Sequence, residues 1–74
     1  MPGMLPKEHD VVALLTDLPQ HGLSAGDTGA IVHCYSQPGV YEVEFVNAAG
    51  ETKAVVTVEA HQLLKLNWAP AVSA

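Results

Sequence analysis

The alternation of apolar and polar residues is most regular between Val40 and Val46, which reads VYEVEFV. A period of two is typical of a β-strand with one buried face. Glu42 and Glu44 occupy the polar face of this predicted strand. We therefore predict that the glutamates meet solvent and that the opposite face packs in a core. That opposite face consists of Tyr41, Val43 and Phe45.

Four more segments are apolar, contain β-branched or aliphatic residues and border on turn-forming residues. Short turns at residues 36–39 (SQPG) and 47–50 (NAAG) favour an antiparallel meander of the three central strands. Glu59–Leu63 has good helix formers but is too short for a stable α-helix, so it predicts a 3₁₀ turn before the last strand. The four further strands are predicted at His9–Leu15, Ala30–Tyr35, Thr52–Val58 and Leu64–Leu66, with Leu64 and Leu66 on one face.

These elements predict an all-β fold, a small five-stranded antiparallel barrel, because closing such a sheet removes exposed edges. The barrel is expected over residues 8–66, after a flexible lead-in (1–7) and before a flexible tail (67–74). With 74 residues, 49% of them hydrophobic, the chain suffices for one domain. Its single cysteine, Cys34, excludes an intramolecular disulfide. Stability is therefore expected to come from the apolar core.

The charge balance disfavours polyanionic partners. The net charge is −5, with three lysines, no arginine and eight acidic residues. Nucleic-acid binding needs a basic face that these lysines cannot build, and an anionic membrane surface is disfavoured for the same reason. No apolar run approaches the roughly 20 residues that cross a bilayer, and the first residues lack the apolar segment of a signal peptide. We expect a cytoplasmic protein that binds neither nucleic acid nor membrane.

Candidate catalytic groups are sparse. If His33 faces solvent, strand alternation places Cys34 in the core with Ala30 and Val32, as an unreactive thiol. The two strand glutamates would lie about 6–7 Å apart, a spacing that suits paired-carboxylate chemistry, but a solvated strand face is the expected interpretation. The histidines lack the close pairing of zinc ligands. They are His9, His21, His33 and His61. We expect no catalytic site, no metal and no cofactor.

The loop from Leu18 to Asp27 is the candidate binding region, because long loops on a rigid barrel often carry specificity. Leu23 is its large central apolar residue and is expected to pin the loop to the core. A shallow aromatic and apolar groove could dock an extended peptide. The residues predicted to line this groove are Leu18, Pro19, His21, Leu23, Tyr35 and Trp68.

Several motifs together resemble a family of small proteins catalogued as a domain of unknown function, DUF4926. They are DVVAL, DLPQHGL, GDTGAIV, YEVEFV and the dipeptide QL, spread over residues 8–66. The resemblance implies an SH3-like barrel and brings no established activity and no functional residues. More distantly, GDTGAIV is similar to the glycine-containing turn of KOW-type barrels and of the SH3-like nitrile hydratase β subunit. Those parallels concern the fold alone.

The expected function is therefore that of a protein-interaction or accessory module with no catalytic site of its own. Its partner would be an unidentified protein or a second copy of the chain. The alternative is a small-ligand or metal-binding protein that uses the surface histidines His21, His33 and His61.

Overall fold

A computed structural model describes residues 5–66. The predicted tail, most of the predicted lead-in and Trp68 lie outside the described residues. Lys7, which was assigned to the lead-in, lies inside them. It forms a turn with Asp10, whose backbone N–H donates to the Lys7 carbonyl over 2.9 Å.

The structure has five strands: β1 (Val11–Leu14), β2 (Thr28–Cys34), β3 (Val40–Val46), β4 (Thr52–Glu59) and β5 (Leu63–Lys65). They form one antiparallel sheet in the order β4-β3-β2-β1-β5. The all-β, SH3-like prediction is confirmed, as is the 3₁₀ turn before the last strand, at Ala60–Gln62. A second 3₁₀ turn, Pro19–His21, lies in the first loop and was not predicted. No ladder joins β4 to β5 among residues 5–66.

Every strand contributes to one apolar core. The predicted inward face of β3 is confirmed, because its three residues are at most 4% exposed. Leu23 is 2% exposed, so it pins the first loop to the core as predicted. No polar or charged residue among those described is buried. The core residues are Val12, Leu14, Leu23, Ile31, Tyr41, Val43, Phe45, Val56, Val58 and Leu63.

The first strand is shorter than predicted at its start. It begins at Val11 rather than His9, because the turn at Lys7–Asp10 holds His9 at a φ of 75°. This left-handed conformation is incompatible with an extended strand. The His9 N–H still donates to the Ile31 carbonyl over 2.9 Å, which ties the turn to β2.

A β-bulge at Val32 corrects the predicted facing of the second strand. Ile31 pairs with Val43, whereas His33 pairs with Glu42, so Val32 is an extra residue on β2. The bulge inverts the alternation after Ile31. Cys34 therefore packs against the core, as predicted, but Val32 is 41% exposed and Ala30 faces outward beside Glu44.

The second strand also begins earlier than predicted, at Thr28, and includes Gly29. Gly29 pairs with both Val12 and Phe45. A Cβ atom at this position would collide with the Glu44 carbonyl oxygen and lie 3.0 Å from the Phe45 Cα. The glycine is thus required for the close approach of β2 to β3.

The last strand begins one residue before its predicted start. Leu63 is its buried residue and lies opposite Leu14. Leu64 is 51% exposed and lies opposite Ala13. The face that was predicted to carry Leu64 and Leu66 is therefore the outer face of the sheet. The short 3₁₀ turn sets this register by ending at Gln62.

Substitutions on the two faces of β3 should have opposite outcomes. Val43 is fully buried and pairs with Ile31 and Val56. Val43→Asp should therefore unfold the domain, at a cost of roughly 3 kcal/mol or more. Glu44→Lys, on the outer face, should change the melting temperature little. Thermal melts of both variants test this, and a stable Val43→Asp protein would contradict the assigned core.

Candidate functional site

The first loop is closed by its own hydrogen bonds. Leu18 and Leu23 exchange two backbone hydrogen bonds, with N···O distances of 2.9 and 3.1 Å. Gly22, at a φ of 70°, ends the 3₁₀ turn between them. Asp17 Oδ1 accepts the Ala25 N–H over 2.9 Å and braces the far side of the loop. The loop is thus a defined structure on the end of the sheet.

The two leucines of this loop point towards the core. Leu23 is buried and Leu18 is half-buried against the same core. Pro19 and His21 are exposed. The predicted binding loop therefore presents one proline ring and small or polar groups to a partner.

Tyr35 lies apart from the loop residues with which it was grouped. It follows the last residue of β2, whereas the loop leads into the first residue of that strand. Its hydroxyl donates to Glu42 Oε1 over 2.9 Å. Its ring meets the His33 ring edge-on, with centroids 4.8 Å apart. The structure thus brings four of the six predicted groove residues into one loop, places Tyr35 at the other end of β2, and does not describe Trp68.

The two strand glutamates are engaged with neighbouring hydroxyls. Glu42 Oε1 accepts a second hydrogen bond, from Thr57 Oγ1 over 2.7 Å. Glu44 Oε2 accepts one from the Thr52 hydroxyl. Both carboxylates therefore serve as cross-strand acceptors on the outer face between β3 and β4.

All four histidines are exposed, and no two of them share a strand or a turn. Within residues 5–66, no group of three or more His, Cys, Asp or Glu side chains is arranged to hold a metal ion. The described part of the chain also contains no helix that is long and apolar enough to span a membrane.

Each of the three lysines lies beside an aspartate. Lys7 and Lys65 both have Nζ 3.5 Å from the Asp10 carboxylate, and Lys53 Nζ lies 2.9 Å from Asp27 Oδ2. Partial burial disfavours ionised Asp10, but the hydrogen bond from the Lys7 N–H and the charges of Lys65 and Lys7 outweigh it and lower the pKa of Asp10. The hydrogen bond from the Ser24 N–H and the contact with Lys53 lower the pKa of Asp27.

An open groove of about 250 Å³ lies on the outer face of β1, β2 and β3. Val11, Ala30 and Glu44 form a row of direct cross-strand partners along it. Glu44 is the one charged residue of its lining. The complete lining is Val11, Thr28, Gly29, Ala30, Glu44 and Val46.

The apolar surface continues on both sides of this groove. Val55 of β4 pairs with Glu44 and is 49% exposed, and Leu64 of β5 is 51% exposed. The outer face therefore carries aliphatic side chains on β1, β3, β4 and β5, with Ala30 between them on β2.

Our sequence prediction missed the groove residues, although consecutive apolar residues in the first strand indicated an apolar outer face. A strand with one buried face needs apolar residues at alternate positions. All four residues of β1 are apolar (VVAL), so two of them must face outward. Val46 similarly extends the outward row begun by Glu42 and Glu44.

Asp27 should contribute a pH-dependent part of the stability. Because its pKa in the folded protein lies below the ordinary value of 3.8, its contribution is present above that pH and is lost as the pH falls through the folded value. Asp27→Asn should lower the melting temperature at pH 7, and its melting curve should converge with that of the wild type in strong acid. Glu8→Gln, at an exposed position, is the matched charge control. A gap that stays constant at every pH would contradict this assignment.

Comparison with known proteins gives one match. The model of the family described as a domain of unknown function, DUF4926, matches residues 8–65, which is most of the chain. Searches of the curated proteins and of the solved structures found no match. The matched residues include all five strands, from Val11 to Lys65. The chain therefore belongs to the DUF4926 family.

Proposed function

We propose that the protein is a non-catalytic protein-interaction module whose outer sheet face binds an extended, apolar segment of a partner. The observation that carries this proposal is the open groove over β1, β2 and β3, with its row of Val11, Ala30 and Glu44. Three adjacent strands supply the groove, so its shape is set by backbone pairing rather than by a mobile loop.

The apolar character of the groove favours an apolar ligand. Val11, Ala30 and Val46 are half-buried within it, and Val55 continues the surface on the next strand. Covering aliphatic surface of this kind contributes about 25 cal/mol per Å². Contiguous exposed apolar patches on small domains commonly mark interaction sites.

Charge favours a basic residue in that segment. Glu44 stands at the wall of the groove, and the carboxylate that accepts the Thr52 hydroxyl has further acceptor capacity. The chain as a whole carries a net charge of −5. Both features attract a lysine or arginine and steer a basic partner to this face.

The first loop is the rival surface. Its exposed residues include Pro19, His21 and Ala25, which are accessible to a partner. No residue of the loop from Leu18 to Asp27 lines the groove, so single substitutions distinguish the two surfaces.

The test uses peptides selected from a random displayed library against the immobilised protein. We expect selected peptides to combine apolar residues with a lysine or arginine. Ala30→Lys, which places a side chain across the groove beside Glu44, should weaken their binding about tenfold or more, equivalent to about 1.4 kcal/mol. Ala48→Lys, in an exposed turn, is the matched control.

Ala25→Lys tests the rival loop with the same change of residue. Selected peptides that lose affinity for Ala25→Lys but bind Ala30→Lys normally would contradict the groove. A selection that yields only acidic peptides would contradict the role of Glu44. Thermal melts of the three variants establish that each is folded before binding is compared.

A further inference from the structure

We propose that the edge of β4 that faces away from β3, which no strand among residues 5–66 covers, pairs antiparallel with β4 of a second copy of this chain. With eight residues, β4 is the longest of the five strands, and it lies at one end of the sheet. Within residues 5–66 no strand pairs with its side away from β3. An unpaired edge presents a row of backbone donors and acceptors to any strand that can reach it. The proposal concerns a surface separate from the groove and does not depend on it.

The sequence of β4 lacks most devices that protect an edge. Its central segment from Ala54 to Val58 contains no proline, glycine or charge and is rich in β-branched residues. Val55, at 49% exposed, projects from the outer face. The opposite edge, β5, has three residues, so β4 offers far more pairing length.

The burial pattern restricts the register of such a pair. Val56 and Val58 face the core, whereas Val55 and Thr57 face outward. A slip by one residue would set buried positions opposite exposed ones, so only registers that match like faces are compatible. The register centred on Val56 places Val56 opposite itself and Val55 opposite Thr57 of the second copy.

Charge distinguishes two of the registers that match like faces, those centred on Val56 and on Val55. Centred on Val56, the pair places Lys53 opposite Glu59 at both ends. Centred on Val55, it places Glu51 opposite Glu59, and like charges directly opposite are destabilising. Lys53 lies at a bulge opposite Val46, and its Nζ is 2.9 Å from Asp27 Oδ2, yet its side chain remains 33% exposed. Glu59 Oε1 is 3.3 Å from His61 Nδ1, and the Glu59 side chain remains 62% exposed. Of these two registers, the one centred on Val56 therefore matches like faces and also places opposite charges across from each other.

Such pairing would join two sheets into one continuous sheet with the two grooves on the same outer face. A partner with two binding segments would then bind the pair more tightly than a single copy. The inferred second copy thus pairs with the backbone groups at the edge of β4 and brings a second groove to the same outer face.

The first test is light scattering of the full chain over a range of concentrations. We expect a monomer–dimer equilibrium in which Val55→Lys raises the dissociation constant at least tenfold, because an added lysine at this edge opposes strand pairing. Leu64→Lys is the matched control, since Leu64 has nearly the same exposure on the same outer face, at 51%. A strictly monomeric wild-type protein, or dissociation by Leu64→Lys instead, would overturn the proposal.

The second test fixes the register by cross-linking in a Cys34→Ala background. Chains carrying Val55→Cys are mixed with chains carrying Thr57→Cys under mild oxidation. The mixture should form disulfide-linked heterodimers far more efficiently than Val55→Cys alone forms homodimers. Equal or better cross-linking of Val55→Cys alone would overturn the Val56-centred register. Failure of every mixture to cross-link would overturn the pairing itself.

Discussion

The inward packing of β3 supports the rest of the structure. This strand pairs with β2 from Tyr41 to Phe45 and with β4 from Val40 to Val46. Its Val43 and Phe45 side chains are fully buried. With a single cysteine, the chain can form no internal disulfide. A domain this small buries only about 60% of the surface of its unfolded chain, so its stability margin is narrow. Every surface proposed for binding depends on this core.

Two local features of β2 determine which of its side chains lie on the outer face of the sheet. Gly29 lets β2 approach the Glu44 backbone closely, and the bulge at Val32 inverts the strand's alternation. Between them, Ala30 faces outward among larger neighbours and forms the floor of the groove. The groove therefore follows from the backbone geometry that closes the core, rather than from a separate loop.

Sequence periodicity predicted those elements whose pattern is unambiguous. β3 alternates perfectly, and both its bounds and its buried face were predicted correctly. The facing of Val32 was wrong because a bulge leaves no simple trace in the pattern. The groove was missed because outward Val11 and Ala30 belong to apolar stretches that also contain core residues. Tyr35 was grouped with the first loop, but the length of β2 separates them, because the loop precedes the first residue of this strand and Tyr35 follows its last.

The central claim is that β3 is paired with a strand on each side, whereas β4 is an edge strand that no other strand among residues 5–66 covers on its far side. Residue-resolved amide hydrogen exchange tests it most directly. In dilute protein, the amides of β3 should exchange most slowly, and the β4 amides directed away from β3 should exchange rapidly. Raising the protein concentration should slow the exchange of those β4 amides alone. Uniform protection of β4 in dilute protein, or β3 amides that exchange as fast as the β4 edge, would contradict the account.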